Sequence, residues 1–295
     1  MNFLFHLICG IYKLIERFPF RILYFLSDIF YLIIFYIFPY RKKVVRRNLK
    51  NSFPLKSEKE IDQILKKFYR NFCDLFTESI KVKDVIKKHR VKINNRELLD
   101  EYFKQNKSVI IMMAHVGNWE WVCGSFQRFF PDFRCTVSAH LQSSKLFNKL
   151  LMTERNKYVE VVNTKYILKS MYKNKNIPSV YMLIADQRPP MNEGEYWTTF
   201  LNQDTPFFTG AEKIAKTFNF PVLFLNAKKI KRGYFEVYLS VITDQPKATK
   251  EFEITENYAR QLEQAIIAQP DNWLWSHNRW KHSRSQLKTS EKINA

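Results

Sequence analysis

His115-Val116-Gly117-Asn118-Trp119-Glu120 sets a histidine and a carboxylate five positions apart, directly after the apolar run Ser108–Ala114. That run is short, β-branched at its start and closed by a turn-like Val-Gly-Asn, which predicts a buried strand feeding a loop and then a helix over 118–130. A histidine at a strand end with a carboxylate on one ring nitrogen can act as a general base, because its other nitrogen is left to take a proton from a hydroxyl. Glu120 is the expected orienter, and backbone N–H groups near Gly117 and Asn118 are candidate oxyanion donors. The bland alternative is a surface pair or a satisfied core histidine. The chain has no second histidine at zinc-ligand spacing and no Gly-x-Ser-x-Gly elbow. The nucleophile is therefore expected to arrive with a substrate, and no metal or bound cofactor is required.

A second group of polar residues lies where another apolar run ends. Asp186-Gln187-Arg188 follows the predicted strand 178–185 and would stand beside His115 if the two strands are neighbours. A helix or loop cap is the alternative. Lys165 and Lys169, near the predicted helix 166–174, are candidates to meet a phosphate, against the plain reading of solvated lysines. Loop 191–208 carries Trp197, Phe200, Phe207 and Phe208, which either line an acyl-chain slot or pack down. Near the end, Pro270–Lys281 holds three Trp and three basic residues, and suits either a membrane interface or a clasp with its indole N–H groups bonded internally.

The elements that must position these groups alternate. Ser57-Glu58-Lys59-Glu60 has capping-box spacing and predicts a helix to about Lys81. Further helices are expected over 95–105, 144–157, 209–219 and 255–268, with strands over 133–138, 158–162, 220–228 and 234–242. This order predicts an α/β fold with a largely parallel central sheet flanked by helices, whose chemistry lies beyond the carboxyl ends of the strands.

Residues 18–38 form an apolar stretch of 21 residues, about the length that crosses a hydrocarbon core. Arg21 and Asp28 interrupt it, so it either spans a bilayer or lies in its interface. Residues 2–17 are a further amphipathic helix candidate, and a cleaved signal peptide is not expected. Six of the ten residues from Arg41 to Lys50 are basic and none is acidic, which after an apolar segment places residue 41 onward in the cytoplasm and offers cations to anionic headgroups. The whole chain carries 48 basic against 28 acidic residues, net +20, so an anionic partner or a solvated Lys-rich surface is expected. Nucleic acid is disfavoured because no nucleic-acid fold signature is present. The four cysteines lack a paired spacing and read as reduced thiols. The expected division is a membrane-anchoring helical segment 1–40, an α/β domain 41–282 and a disordered tail 283–295.

Taken in order, these segments resemble the bacterial lipid A biosynthesis (lauroyl/myristoyl) acyltransferase family, within the lysophospholipid acyltransferase superfamily. The resemblance runs from about Tyr12 to Lys281 and rests on Tyr40-Arg41…Asn48-Leu49…Ser52-Phe53-Pro54, His115–Glu120, Asp186-Gln187, Phe207-Phe208-Thr209-Gly210-Ala211 and Pro270–Lys281. It implies an O-acyltransferase of the cell inner membrane, its catalytic domain on the cytoplasmic side. The enzyme would move a fatty acyl chain from acyl carrier protein or coenzyme A to a hydroxyl of a lipid A precursor. His115 and Glu120 would be catalytic, and Asn118, Lys165, Asp186, Gln187 and Arg188 would bind substrate. A lysophospholipid, another glycolipid or an aminolipid is the alternative acceptor. An esterase using water and a non-catalytic basic adaptor are the remaining rivals. The chain departs from the family at Lys165–Lys175, where an Arg is common and only lysines occur.

Overall fold

Two largely apolar strands, β2 (Val109–Met113) and β5 (Ser179–Ile184), lie side by side in the middle of a seven-stranded sheet in this computed structural model. The structure describes residues 2–82, 85, 88–140, 145–190, 195–281 and 284. The expected tail 283–295 thus lies outside the described residues apart from Arg284. Strands buried on both faces need no polar alternation. Ile110, Met112, Tyr181 and Leu183 join one core, while Val109, Ile111, Met113, Val180 and Met182 join the other.

The sheet order is β1 (Val91–Ile93), β9 (Tyr234–Thr243), β8 (Val222–Lys231), β2, β5, β3 (Arg134–Ala139), β4 (Glu160–Asn163). β8, β2, β5, β3 and β4 are mutually parallel, and β9 turns back antiparallel to β8 with β1 running along it. The α/β expectation holds, and the short strand β1 was not foreseen in the sequence.

Helices cover both faces. Against one lie α3 (Lys42–Ser52), α4 (Glu58–Ser79), α8 (Ile167–Lys173), α9 (Gly210–Phe218) and α10 (Glu253–Ala268). Against the other lie Phe20 of α2 (Phe20–Leu32), α5 (Glu97–Lys104) and α6 (Trp119–Phe129). Helices α1 (Asn2–Glu16) and α7 (Lys145–Arg155) complete the set, and α2 runs on into a π-helical turn, Ile33–Ile37.

The stretch read as loop 191–208 is corrected. From residue 195 it is a hairpin, β6 (Glu195–Phe200) and β7 (Gln203–Phe208), and 191–194 lie outside the described residues. Its two turn residues, Leu201 and Asn202, have φ of 50° and 61°, the pair of positive values that a two-residue hairpin turn requires. A leucine there and Pro206 within β7 hid the pattern. Phe200 and Phe207 pack down into the core.

The run Arg41–Lys50 is also put to a use not expected. Arg46 and Lys50 pair with Glu58, and Arg46 also with Asp62. Arg41 donates to Ser276 O at 3.1 Å and Arg47 to Asn278 Oδ1 at 2.8 Å. Asn48 donates to the carbonyls of Trp275 and His277, each at 3.1 Å. Much of the basic helix clasps the protein's own closing segment.

The capping box forms: Glu60 N donates to Ser57 Oγ at 3.3 Å, and Ser57 N to Glu60 Oε2 at 2.8 Å. Ser57→Ala should cost about 1 kcal/mol of stability, read as a lowered midpoint in denaturant titration with activity at 25 °C unchanged.

Candidate active site

Strand register builds the site. β2 and β5 pair in parallel with Val109 opposite Val180 and Met113 opposite Ile184. The same offset of 71 residues carries past the strand ends and sets His115 beside Asp186. The His115 amide donates to Asp186 Oδ2 at 3.1 Å, and its ring Nδ1 lies 2.7 Å from Asp186 Oδ1. Trp273 Nε1 donates to Oδ2 at 2.8 Å. Asp186 is 3% exposed. Burial alone would raise its carboxyl, but the adjoining imidazole and these hydrogen bonds outweigh it and hold the group below the usual carboxylate range. An ionised Asp186 accepts only, so Nδ1 carries the proton and Nε2 is left as the acceptor.

Glu120, expected as the orienter, does not bond the His115 ring in this structure. It lies in the first turn of α6 and forms a two-pronged ion pair with Arg155, Nε to Oε2 at 2.9 Å and Nη2 to Oε1. The physical reason is direction: α6 projects Glu120 toward α7, while the in-register neighbour strand already supplies a carboxylate to the ring. Trp119 sets its indole edge-on to the imidazole, ring centres 4.8 Å apart.

The remaining candidates divide. Gln187 is exposed, its Nε2 3.4 Å from His115 Nε2. Arg188 gives its backbone N–H to His277 Nε2 at 3.3 Å, and its buried Nη1 has no hydrogen-bond partner among the described residues. Asn118 is 1% exposed and faces inward. Its Oδ1 caps α6 on Trp121 N at 3.0 Å, and its Nδ2 donates to Glu78 Oε2 at 2.7 Å. The Gly117 amide is bonded to Asn272 O at 2.8 Å, so it is not a free oxyanion donor. Lys165 is exposed in the turn after β4, which is separated from β2 by β5 and β3, so the fold does not bring it to His115. Among the described residues no cluster of His, Cys, Asp and Glu is placed to hold a metal ion.

Sequence reading foresaw the closing segment as one of two alternatives and missed the other groups that hold this arrangement. Pro270–Lys281 is the clasp of the two alternatives: Trp273 bonds Asp186, Trp275 Nε1 bonds Pro270 O at 2.5 Å, and Trp280 Nε1 bonds Thr205 Oγ1 at 2.7 Å. Its backbone bridges the motif loop through Val116 and Trp273, with Leu274 N donating to His115 O at 3.1 Å. Gly117 has φ +62°, and a Cβ there would sit 3.1 Å from Ala227 O, so this crossing requires glycine. Tyr258 donates to Met113 O at 2.9 Å from beneath. Glu78, buried at the end of α4, is pushed up to about 7, chiefly by burial and then by nearby Asp74. These partners come from distant segments with no spacing signal to join them.

His277 is mostly buried, and that burial lowers its pKa to about 4. Its folded value lies below its unfolded one, so it contributes stability above about pH 6.5 that is lost as pH falls toward 4. His277→Gln, which keeps an acceptor for the Arg188 amide, should lose less stability than the parent between pH 6.5 and 4 in denaturant titrations. Parallel curves for the two proteins would remove His277 as the cause.

The geometry is that of a histidine whose ring is anchored on a buried carboxylate, set at the carboxyl ends of two parallel strands. Comparison with curated proteins matches none of them. The family model described as bacterial lipid A biosynthesis acyltransferase matches residues 1–282. That match takes in the histidine motif, Asp186 and the closing clasp, and it makes the protein an acyltransferase: the chain belongs to the bacterial lipid A biosynthesis acyltransferase family.

Proposed function

We propose that the protein is a membrane-associated O-acyltransferase. It takes a fatty acyl chain from an acyl thioester, on acyl carrier protein or coenzyme A, and delivers it to a hydroxyl of a lipid A precursor. The observation that carries this reading is the His115 ring, anchored through Nδ1 on buried Asp186 with Nε2 left to accept. The acceptor hydroxyl takes the place of the Gln187 amide at Nε2. His115 removes its proton as the oxygen attacks the thioester carbonyl, and the thiolate leaves and is reprotonated. Asp186 keeps the tautomer and stabilises the imidazolium without itself taking the proton. Glu120 and Arg155 act together as a fixed charged wall, and Arg188 Nη1 is a donor suited to a phosphate or sugar oxygen of the acceptor. The net charge of +20 favours a phosphorylated amphiphile at an anionic membrane surface. Four free cysteines fit the cytoplasmic face of the inner membrane.

The histidine and its carboxylate separate by mutation. His115→Ala should lower turnover by about 10²–10⁴-fold with the fold retained. Asp186→Asn should also lose several orders of magnitude, because an amide favours the wrong tautomer, whereas Glu120→Gln should lose less. Near-parent turnover by folded His115→Ala would end the mechanism, and a collapse in Glu120→Gln with Asp186→Asn unaffected would return the orienting role to Glu120.

The acceptor is tested with purified full-length chain and a labelled acyl thioester, offered lipid A precursor, lysophospholipid and lyso-aminolipid separately. Label is expected in the lipid A precursor. Label in only one of the other two would overturn the acceptor and keep the chemistry.

A further inference from the structure

Phe20–Ile37 is long and apolar enough to cross a membrane, yet a third of it is buried against the protein. The inward residues Phe20, Leu23, Ser27, Tyr31, Ile34 and Phe35 are buried, and polar groups along that side are bonded at successive turns. Tyr24 donates to Glu78 Oε1 at 2.9 Å, and Ser27 to Asp74 Oδ1 at 2.7 Å. Asp28 is held by both Nη atoms of Arg232, at 3.1 and 2.7 Å, and the same guanidinium grips Asp74 through Nε and Nη2. Further on, Phe35 packs edge-on to Tyr69, ring centres 5.3 Å apart. The partners run from Glu78 down to Tyr69 as α2 is read forward, so α2 lies antiparallel along the C-terminal half of α4. The outer face is the reverse: Phe25, Ile29, Leu32 and Tyr36 are 65, 40, 52 and 60% exposed. They recur at i, i+4, i+7 and i+11 and form one stripe.

We infer that Phe20–Ile37 lies in the plane of one leaflet of an anionic lipid membrane, outer stripe down, as a docking face of the catalytic domain and not as a bilayer-spanning anchor. A spanning α2 would take α4 with it, and α4 carries exposed Lys66 and Lys67, with Arg70 over the Tyr31 ring of α2. Those cations, together with Asp28, Asp74 and Arg232, would then sit at hydrocarbon depth. The flanking segments agree. Before α2, Tyr12 donates to Ile80 O at 3.4 Å and Glu16 O accepts from Lys81; after it, Arg41 reaches Ser276. Both ends return to the same body, whereas a spanning helix delivers its ends to opposite sides. In the plane, the charged face stays on the protein and the apolar stripe meets acyl chains, the division an interfacial helix requires. Exposed Arg21 and Lys43, flanking the stripe, meet headgroup phosphates.

The inference rests on the membrane association proposed above, and the test separates the two. Spin labels are placed one at a time at Phe25→Cys, Ile29→Cys, Leu32→Cys and Tyr36→Cys in full-length Cys9→Ser protein, whose other three cysteines are buried. Each is bound to vesicles of phosphatidylethanolamine and phosphatidylglycerol, and label depth is read by power saturation. The four depths should agree within a few Å, at about 5–10 Å below the headgroups. A steady ladder rising by about 16 Å from position 25 to 36, the rise of eleven helical residues, would overturn the in-plane orientation and leave membrane association standing. Failure to bind the vesicles would overturn both. In sealed membranes, an impermeant thiol reagent should reach Lys13→Cys and Lys247→Cys from the same side, and labelling from opposite sides would again overturn the inference.

Discussion

A carboxylate buried at the end of a central strand has to be satisfied on both oxygens, and the arrangement around Asp186 follows from that need. An ionised group with almost no access to water is tolerated only when paired and hydrogen-bonded. Asp186 meets the condition with three donors from two separate segments: the His115 ring and amide, and the Trp273 indole. Removing any of them leaves charge without compensation in a dry place. The same bonds that keep the strand ends together also set the imidazole's tautomer, so local stability and chemistry share their atoms. The arrangement costs the fold a glycine at 117 in a left-handed conformation and a closing segment that crosses over the loop.

Much of the scaffold was readable in the chain because single-segment patterns determine it. Apolar runs such as Val109–Met113, and the capping box at Ser57, mark strands and helix starts without knowledge of neighbours. The hairpin at 195–208 was not readable, since Leu201 at positive φ and Pro206 within a strand contradict local preference and are overruled by packing of Phe200 and Phe207. The site divides along the same line. His115 and Asp186 stood out because each ends an apolar run, and their union needed only the neighbouring of β2 and β5. The choice between Glu120 and Asp186 as the ring's partner did not follow from spacing, because a helix start and a strand end project side chains in different directions. Glu78 gave no signal, and His277 stood out only as one residue of the closing motif: their roles depend on burial, which only tertiary structure creates.

Charge is a further case where composition and structure part. The cluster Arg41–Lys50 looks like a free cationic surface, but Arg41, Arg46, Arg47 and Lys50 all have partners in the protein. Such exposed or half-exposed pairs add little stability individually. Their effect is to fix the orientation of α3 against the closing clasp, which in turn holds Trp273 on Asp186. Net charge therefore overstates the number of cations available to an anionic partner.

The clasp also gives the molecule a temporal order. Translation delivers the apolar helices first, and the strands that carry His115 and Asp186 well before Asn272–Leu274. Until those late residues emerge, the Gly117 amide and the His115 carbonyl lack their partners and Asp186 Oδ2 lacks one of its two donors. A chain still on the ribosome therefore holds His115 and Asp186 on strand ends that the closing segment does not yet bridge. The frame around His115 and Asp186 is thus completed by one of the last segments to be made.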